Sequence, residues 1–292
     1  MKLATLTVGE QWVVAAVDPA EAQFWPVADF TNCAGDDMLE VIRIFGGHLS
    51  LPAHRGRGRS LTEAKLEAPL RPPRAIMCVG KNYRDHAREF TRSGFDSTAS
   101  SEQDAIPEHP IIFTKMAETV IGPDQLIVYP DGVSDQLDYE AELAVVIGVG
   151  GRSIPRARAL DHVFGFTILN DVTARDLQAR HKQWFIGKSL DTFCPMGPWI
   201  TTRDEVDHEK LDVRCWVNGE LRQHGCTEHL IFDIPTLVSA LSAGMTLVPG
   251  DVIATGTPAG VGVGYRPPRF LARGDEIAIE ITNLGRLVNT VG

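Results

Sequence analysis

The sequence predicts a strand-dominated α+β fold. Short runs rich in β-branched residues recur along the chain and are bounded by Gly, Pro, Asn and Asp. Asn218-Gly219 lies between two such runs and is typical of a two-residue hairpin turn. The regular alternation of strand and helix found in a Rossmann fold or a TIM barrel is missing from the sequence. Together these observations favour strands joined by turns, with few helices.

The first 70 residues are predicted to form a small β-rich unit. Gly9-Glu10-Gln11 separates two strand-like runs as a hairpin turn does, and Gly46-Gly47 ends a stretch with helical spacing. The predicted elements are strands at residues 3–8 and 12–17, a helix at 36–44, and a linker or exposed loop at 52–59. Because this unit contains no pattern that suggests chemistry, we expect it to support packing or an oligomer.

The main domain is predicted to span residues 71–292 and begins after the proline-rich stretch at 69–73. Apolar runs bounded by turn residues predict its strands. These are residues 75–79, 111–115, 126–129, 140–147, 164–169, 213–217, 220–223, 252–255 and 276–288, the last with a turn at Asn283-Leu284-Gly285. Helices are predicted at residues 82–89, 157–163 and 235–243. Residues 91–108, rich in Ser, Gly and Asp, are predicted to form a mobile loop.

Composition and charge restrict the class of protein. The chain is 43% hydrophobic and 23% charged, which is ordinary for a globular protein, and its formal net charge is −10. A surface that binds nucleic acid needs clustered positive charge, so we expect no nucleic-acid partner. A small anionic substrate stays compatible with the net charge, because a bound cation reverses the local field.

The spacing of the cysteines and the hydropathy of the sequence indicate the cellular compartment of the protein. The five cysteines are scattered without CxxC spacing, which argues against a disulfide framework and a zinc ribbon. Residues 1–30 lack the pattern of a signal peptide, and no stretch has the length of a membrane helix. We therefore expect a cytoplasmic protein with no membrane partner.

Three acidic residues form a candidate metal site. Glu140 and Glu142 lie two residues apart in a predicted strand and would share one face, while Asp171 follows an apolar strand directly. Adjacent carboxylates repel unless they are solvated or bridged by a cation. Three carboxylates without clustered Cys or His favour Mg²⁺ or Mn²⁺ over zinc. The alternatives are a solvent-facing strand edge for the Glu pair and a helix N-cap for Asp171.

His86 and Glu89 form a candidate acid–base pair. Residues three apart share a helix face, so Glu89 can hydrogen-bond the imidazole and raise its basicity. Such a histidine can act as a general base that activates water. The alternative is an exposed His–Glu pair on a surface helix.

Two further segments suggest anion stabilisation. Lys188 is a lone lysine among Gly, Trp and Pro and can stabilise a developing oxyanion or enolate. Residues 255–262 form a Gly-rich loop whose amides can hold a carboxylate. Since this loop has neither P-loop nor GxGxxG spacing, it does not indicate a nucleotide site.

From about residue 70 to the end, the sequence resembles the fumarylacetoacetate hydrolase family. The resemblance rests on ordered motifs that are each weak but specific in combination. They are Val79-Gly80-Lys81-Asn82-Tyr83 with His86 and Glu89; Phe113-Thr114-Lys115; Asp138-Tyr139-Glu140-Ala141-Glu142-Leu143; Asn170-Asp171-Val172-Thr173-Ala174-Arg175-Asp176-Leu177-Gln178; Gly187-Lys188-Ser189-Leu190-Asp191-Thr192; Pro195-Met196-Gly197-Pro198; and Thr255-Gly256-Thr257-Pro258-Ala259-Gly260-Val261-Gly262.

The resemblance implies a fold, a metal and a set of site residues. The fold is a mixed β-roll or β-sandwich, and the chain is similar to the smaller bacterial members that carry an N-terminal extension and act as acylpyruvases or as 2-hydroxyhepta-2,4-diene-1,7-dioate isomerases. The implied ligands of Mg²⁺ or Mn²⁺, which Ca²⁺ can replace in a crystal, are Glu140, Glu142 and Asp171. The implied catalytic residues are His86 and Glu89, on a segment that can close as a lid, and Lys188; the substrate-binding residues are Lys115, Gln178 and Thr257. Members are commonly homodimers.

Three functions are compatible with these residues. The leading hypothesis is hydrolysis of a carbon–carbon bond in an acylpyruvate-like 2,4-dioxo acid, with release of pyruvate. The alternative uses the same metal without an attacking water: decarboxylation of a β-keto acid such as oxaloacetate, or isomerisation or hydration of a hydroxymuconate-type diacid. The third is a non-catalytic protein that binds a metal or ligand on the same scaffold.

Overall fold

The computed structural model describes residues 1–46, 52, 56–96, 98 and 101–292. Strands dominate the described residues, which confirms the predicted α+β class. They are β1 (Lys2–Val8), β2 (Gln11–Asp18), β3 (Gln23–Pro26), β4 (Arg59–Ser60), β5 (Lys65–Leu66), β6 (Ile76–Gly80), β7 (Ile111–Lys115), β8 (Val120–Ile121), β9 (Leu126–Ile127), β10 (Leu137–Asp138), β11 (Ala141–Ile147), β12 (Val163–Asn170), β13 (Thr173–Ala174), β14 (Cys194–Thr202), β15 (Asp212–Val217), β16 (Glu220–Cys226), β17 (Val252–Ala254), β18 (Glu276–Ile281) and β19 (Gly285–Val291).

The helices are short and lie between strands. They are α1 (Met38–Phe45), α2 (Arg84–Ser93), α3 (Arg175–His181), α4 (Phe185–Lys188) and α5 (Ile234–Ser242), with a 3₁₀ helix at Arg156–His162. Asp37 caps α1 by accepting the Leu39 amide, and Gly46 ends the helix in the left-handed conformation. No described helix is long and apolar enough to cross a membrane.

The described strands form one large mixed sheet, a smaller five-stranded sheet and a two-stranded pair. The large sheet runs β4-β3-β2-β1-β14-β12-β11-β17-β6-β7, with β5 paired to β1 and β8 to β14; a five-stranded sheet runs β16-β15-β18-β19-β9; and β10 pairs with β13. Strand β11 is buried on both faces. Leu143 and Val145 pack in a cluster with residues of the smaller sheet, such as Ile279, whereas Ala144 and Val146 pack in a cluster that includes Ile42 of α1. The large sheet therefore has hydrophobic core on both sides.

The strand register brings four chain segments to one edge of the large sheet. β11 and β12 are antiparallel, with Ala141 opposite Asn170, so the start of β11 and the end of β12 meet. β17 is antiparallel to β11 and parallel to β6, which places the ends of β17 and β6 at the same edge. The residues that follow β6, β12 and β17, and those that precede β11, therefore surround one point.

Most predicted strands and helices are confirmed, with shifted ends. The 3₁₀ helix Arg156–His162 stands where an α-helix was predicted, and α2 extends to Ser93, into the predicted loop at 91–108. Glu140 lies before β11 and not within it. β14 is not predicted, because Pro195 and Pro198 are unusual inside a strand. Residues 47–51, 53–55, 97, 99 and 100 lie outside the described part, which includes Gly47 and portions of the loops predicted at 52–59 and 91–108.

The predicted division at residue 70 stays a prediction. Residues before it form the expected hairpin of β1 and β2, which pair from Lys2–Val17 to Val8–Gln11. The start of β1 also pairs with β14, through Lys2–Thr201 and Leu3–Ile200. The N-terminal strands are therefore continuous with the large sheet.

Candidate active site

Glu140, Glu142 and Asp171 converge at the sheet edge described above. One carboxylate oxygen from each lies within 4.8 Å of the others, and all three side chains are buried. Two hydrogen bonds fix the meeting of the segments: the Asp171 amide donates to the Glu140 carbonyl (2.9 Å), and the Glu140 amide donates to Asn170 Oδ1 (3.1 Å). The solvent-facing edge is therefore wrong as an interpretation of the Glu pair, and Asp171 caps no helix, since Ala174 precedes α3.

Cationic side chains surround two of the three carboxylates. Lys188 Nζ lies 2.8 Å from both Glu140 Oε2 and Asp171 Oδ2, and Arg175 donates to Glu140 Oε1 at 2.5 Å. Burial works to raise the pKa of Glu140, but Lys188 and Arg175 outweigh it and lower that pKa to about 2. Burial likewise opposes the charge of Lys188, yet Asp171 and Glu140 raise its pKa. The two carboxylates therefore favour the charged form of Lys188.

Glu142 is the carboxylate with weaker compensation, since burial raises its pKa more than Lys188 lowers it. Within the described residues it has no ion pair, and its Oε2 accepts the Gly256 amide at 2.8 Å. Burial raises its pKa well above the usual value, and the negative charges of Asp171 and Glu140 raise it further. Asp171 Oδ1 is also incompletely satisfied, because Lys115 Nζ lies 2.8 Å away without hydrogen-bond geometry. An all-oxygen site with these two deficits fits a hard divalent cation such as Mg²⁺ or Mn²⁺.

His86 and Glu89 lie on one face of α2, as predicted. His86 Nδ1 is 3.4 Å from Glu89 Oε2, and the imidazole is buried, so the pair is not an exposed surface pair. Glu89 also accepts the Gly260 amide through both oxygens, at 3.0 and 3.1 Å. A Cβ at Gly264 would lie 2.3 Å from Glu89 Oε1, so the glycine permits this close approach. The Gly-rich loop thus holds the carboxylate that orients the histidine.

The predicted substrate-binding residues fall in two places. Gln178 and Thr257 line a cavity together with His86, Lys188 and Glu142. Lys115 is buried behind them: its Nζ donates to the carbonyl oxygens of Val172 and Lys188 and pairs with Asp171, and it does not line the cavity. The structure thus brings Gln178 and Thr257 to the carboxylates and places Lys115 as a support for Asp171.

Asp138, Arg175 and Gln223 complete the site and are missed by sequence reasoning. Asp138 accepts the amides of Tyr139, Gly262 and Val263 and the Arg175 Nε, at distances of 2.6–3.0 Å. Gln223 Oε1 accepts the Ala141 amide at 3.0 Å, and its Nε2 donates to Thr257 Oγ1 at 2.7 Å. Asp138 alternates with Glu140 and Glu142, and Arg175 follows Asp171 by four residues. This closeness in the sequence to the predicted metal ligands could have pointed to Asp138 and Arg175, whereas no feature of the sequence points to Gln223.

The cavity at these residues is small, about 20 Å³, which is room for about one water molecule. A larger open groove of about 510 Å³ lies elsewhere and is lined by residues such as Arg156, Lys210 and Asp233. The buried carboxylate cluster and the histidine belong to the small cavity. Chemistry, and not size, therefore identifies the candidate active site, and a substrate enters it only when side chains or α2 move.

Three buried carboxylates that fit a divalent cation, in a site that also contains His86, are typical of metal-dependent enzymes. Residues 75–292 match the family model "Fumarylacetoacetate (FAA) hydrolase C-terminal", and the chain belongs to this family. That finding confirms the resemblance and the fold class.

The relatives and solved structures that the chain matches include a tautomerase, a hydrolase and an isomerase by name. The chain is 54% identical to oxaloacetate tautomerase YisK of Bacillus subtilis over 235 residues, which is 80% of this chain and 75% of that protein. The structure matches a fumarylacetoacetate hydrolase of Exiguobacterium antarcticum with a TM-score of 0.86, at 41% identity, covering 100% of this chain and 99% of that one. It matches a 2-hydroxyhepta-2,4-diene-1,7-dioate isomerase of Mycobacterium marinum with a TM-score of 0.77, at 32% identity, covering 100% and 98%.

Proposed function

We propose that the protein is a divalent-metal-dependent enzyme that interconverts the enol and keto forms of a small 2-oxo dicarboxylate such as oxaloacetate. The observation that carries the proposal is the buried carboxylate triad, of which Glu140 and Glu142 line one cavity with His86 and Lys188. The names of two relatives, an oxaloacetate tautomerase and a diene-dioate isomerase, support proton transfer over bond cleavage. This agrees with the alternative predicted from the sequence better than with the hydrolase hypothesis.

Glu140, Glu142 and Asp171 would hold the metal. A bound Mg²⁺ or Mn²⁺ supplies Lewis-acid polarisation of the substrate's 2-oxo group. Glu142 has the greatest need of a cation, because it is buried among like charges without an ion pair among the described residues. The substrate's 1-carboxylate would lie near Gln178 and Thr257, which line the same cavity.

His86 would move the proton. Its Nδ1 faces Glu89, so Nε2 is left to take the proton of the enol hydroxyl and to deliver a proton to the adjacent carbon. Glu89, held by the Gly260 amide, fixes the imidazole orientation. The Lys188 ammonium, already between Glu140 and Asp171, stabilises the negative charge that develops on the substrate oxygen. No bond between carbon atoms is broken in this reaction.

The test is an assay of purified protein on enol-oxaloacetate, followed by loss of the enol's ultraviolet absorbance. We expect the protein to accelerate the conversion, the rate to fall to the uncatalysed value in excess chelator, and the acceleration to return on addition of Mg²⁺ or Mn²⁺. Undiminished conversion in excess chelator contradicts the metal assignment.

Hydrolysis of an acylpyruvate remains the second candidate, because the His86–Glu89 pair also suits activation of water. Release of pyruvate from acylpyruvates, fumarylpyruvate and oxaloacetate separates the two. Rapid pyruvate release from an acylpyruvate, without acceleration of the enol–keto conversion, would replace our proposal by the hydrolase.

A further inference from the structure

Lys81 is a buried cation at the candidate site that the mechanism above does not use. It lies between β6 and α2 and lines the same cavity as His86 and Glu142. Its φ is +58°, in the left-handed region that a lysine rarely adopts. Backbone strain of this kind persists where the surrounding structure requires it, and it is concentrated at functional sites.

Asp96 is the ion-pair partner of Lys81. The Lys81 Nζ lies 2.7 Å from Asp96 Oδ2, and both side chains are almost fully buried. Thr91 and Thr98 also donate to Asp96, so the carboxylate is held by its own chain segment. A buried ion pair is a weak source of stability, since removing both charges from water costs about as much as their attraction returns. Stability alone therefore does not explain the Lys81–Asp96 pair, and we look for its role in function.

Lys81 differs from the other cations that line the cavity. Arg175 is bound by Asp138 and Glu140, and Lys188 by Glu140 and Asp171, so the carboxylate network consumes both charges. Asp96, in contrast, follows α2 and is not among the residues that line the cavity. Among the described cavity residues, Lys81 is thus the cation whose charge does not serve the metal ligands.

We propose that Lys81 is a specificity-determining residue that binds the distal carboxylate of the substrate. The inference rests on the proposed function, in which a 2-oxo dicarboxylate places its 2-oxo end at the triad. The second carboxylate then needs a cation at the same cavity, and an ammonium–carboxylate hydrogen bond is among the stronger polar contacts. When no substrate is bound, Asp96 takes the place of that carboxylate and keeps the buried ammonium paired.

The test compares oxaloacetate with its 4-methyl ester, in which an uncharged ester replaces the distal carboxylate. Binding of each to the Mg²⁺-loaded protein is measured by calorimetry, and the ratio of the two dissociation constants is the readout. We expect the wild-type protein to prefer oxaloacetate by about tenfold or more, as for a hydrogen bond between charged groups. Lys81→Met should remove most of this preference, and Lys81→Arg should retain most of it.

Asp96→Asn is the matched control. A purely structural Lys81–Asp96 pair predicts that loss of either charge weakens both ligands alike. Our proposal predicts that Asp96→Asn keeps the preference for oxaloacetate, since Asp96 does not contact substrate. An equal preference in wild type and Lys81→Met, or an equal loss in Lys81→Met and Asp96→Asn, would overturn the proposal. Should Lys81→Met fail to fold, a wild-type ratio near one still overturns it.

Binding and activity, both measured on the wild type and the variants, distinguish failure of this inference from failure of the proposed function. A binding preference that depends on Lys81, without acceleration of the enol–keto conversion, retains the specificity role and rejects the tautomerase. Acceleration of the conversion with no effect of Lys81→Met on the ratio rejects the specificity role alone.

Discussion

At the scale of single residues, Glu142 differs from its neighbours because its burial and the nearby negative charges outweigh the effect of the Lys188 cation. Its pKa is raised by burial and by Asp171 and Glu140, whereas Lys188 and Arg175 lower the pKa of Glu140. The grouped carboxylates therefore carry an electrostatic cost, which a cation bound among them would reduce.

Glu142→Gln tests this asymmetry. We expect the metal-free variant to be as stable as the wild type or more stable, because a neutral side chain relieves repulsion and desolvation. Its Mg²⁺ affinity should fall at least about tenfold, since even outer-shell partners of a metal are worth about 10–100-fold. Thermal denaturation with and without Mg²⁺ measures both effects, and Glu10→Gln, in an exposed turn, is the control. A variant that binds Mg²⁺ as tightly as the wild type would refute the assignment of Glu142.

His86→Asn tests the proton-transfer step. We expect kcat to fall by about 10²–10⁴-fold, the usual contribution of a positioned acid–base group. Mg²⁺ affinity should be unchanged, because His86 is not one of the three grouped ligands. Steady-state kinetics of the enol–keto conversion and a Mg²⁺ titration give the two values. Unchanged kcat would remove His86 from the mechanism.

Local sequence patterns predict some site residues, but they do not predict residues whose roles come from tertiary contacts. Glu140 and Glu142 were predicted because strand periodicity puts residues two apart on one face, and Asp171 because it follows a buried strand. Strand periodicity does not predict the ion pair between Lys115 and Asp171, because the two residues are 56 positions apart in the sequence. The contacts of Gln223 with Ala141 and Thr257 were hidden for the same reason.

At the scale of elements, Asp138 ties three segments together. Its carboxylate, at the end of β10, accepts hydrogen bonds from the loop after β17 at Gly262 and Val263 and from Arg175 at the start of α3. Arg175 in turn holds Glu140. The positions of Glu140 and of the Gly-rich loop therefore depend on one buried side chain.

Asp138→Asn should destabilise the fold strongly. Removing one partner of a buried ion pair costs about 3–5 kcal/mol, and here backbone amides also lose an acceptor. Urea denaturation gives the free energy of unfolding, and Asp135→Asn, on an exposed neighbouring residue, is the matched control. A loss no larger than that of the control would show that the network does not hold these elements together.

Gly264→Ala tests how the residues next to the Gly-rich loop position Glu89 of α2. The added Cβ would lie 2.3 Å from Glu89 Oε1, so the Glu89 side chain must leave the position in which it faces His86. We expect kcat to fall by about 10–100-fold with Mg²⁺ affinity preserved, since small displacements of catalytic groups are costly. Gly244→Ala, where no heavy atom lies within 4 Å of the added Cβ, is the control. If both variants were equally active, the loop would have no role in positioning His86 and Glu89.

At the scale of the whole molecule, the sequence predicted the class and most of the strands, because local patterns determine them. It did not predict β14, whose prolines are atypical, and it could not predict the strand order. β6 pairs with β17 through Met77–Ile253 and Cys78–Ala254, although these strands lie far apart in the chain. That pairing brings α2 to the Gly-rich loop, so the site depends on topology that local patterns do not contain.

The homodimer expected from the family resemblance stays a prediction. Light scattering after size-exclusion chromatography should give twice the mass of one chain. The mass of a single chain at micromolar concentration would contradict it.

The central claim is that Glu140, Glu142 and Asp171 together hold a divalent cation beside His86. Crystals grown with Mn²⁺ and measured near the manganese absorption edge test it directly. We predict one strong anomalous peak bound by an oxygen of each of the three carboxylates, at roughly 2.0–2.2 Å, the distance range of small hard divalent cations. Crystals whose protein binds Mn²⁺ but show no peak among these side chains would contradict the account.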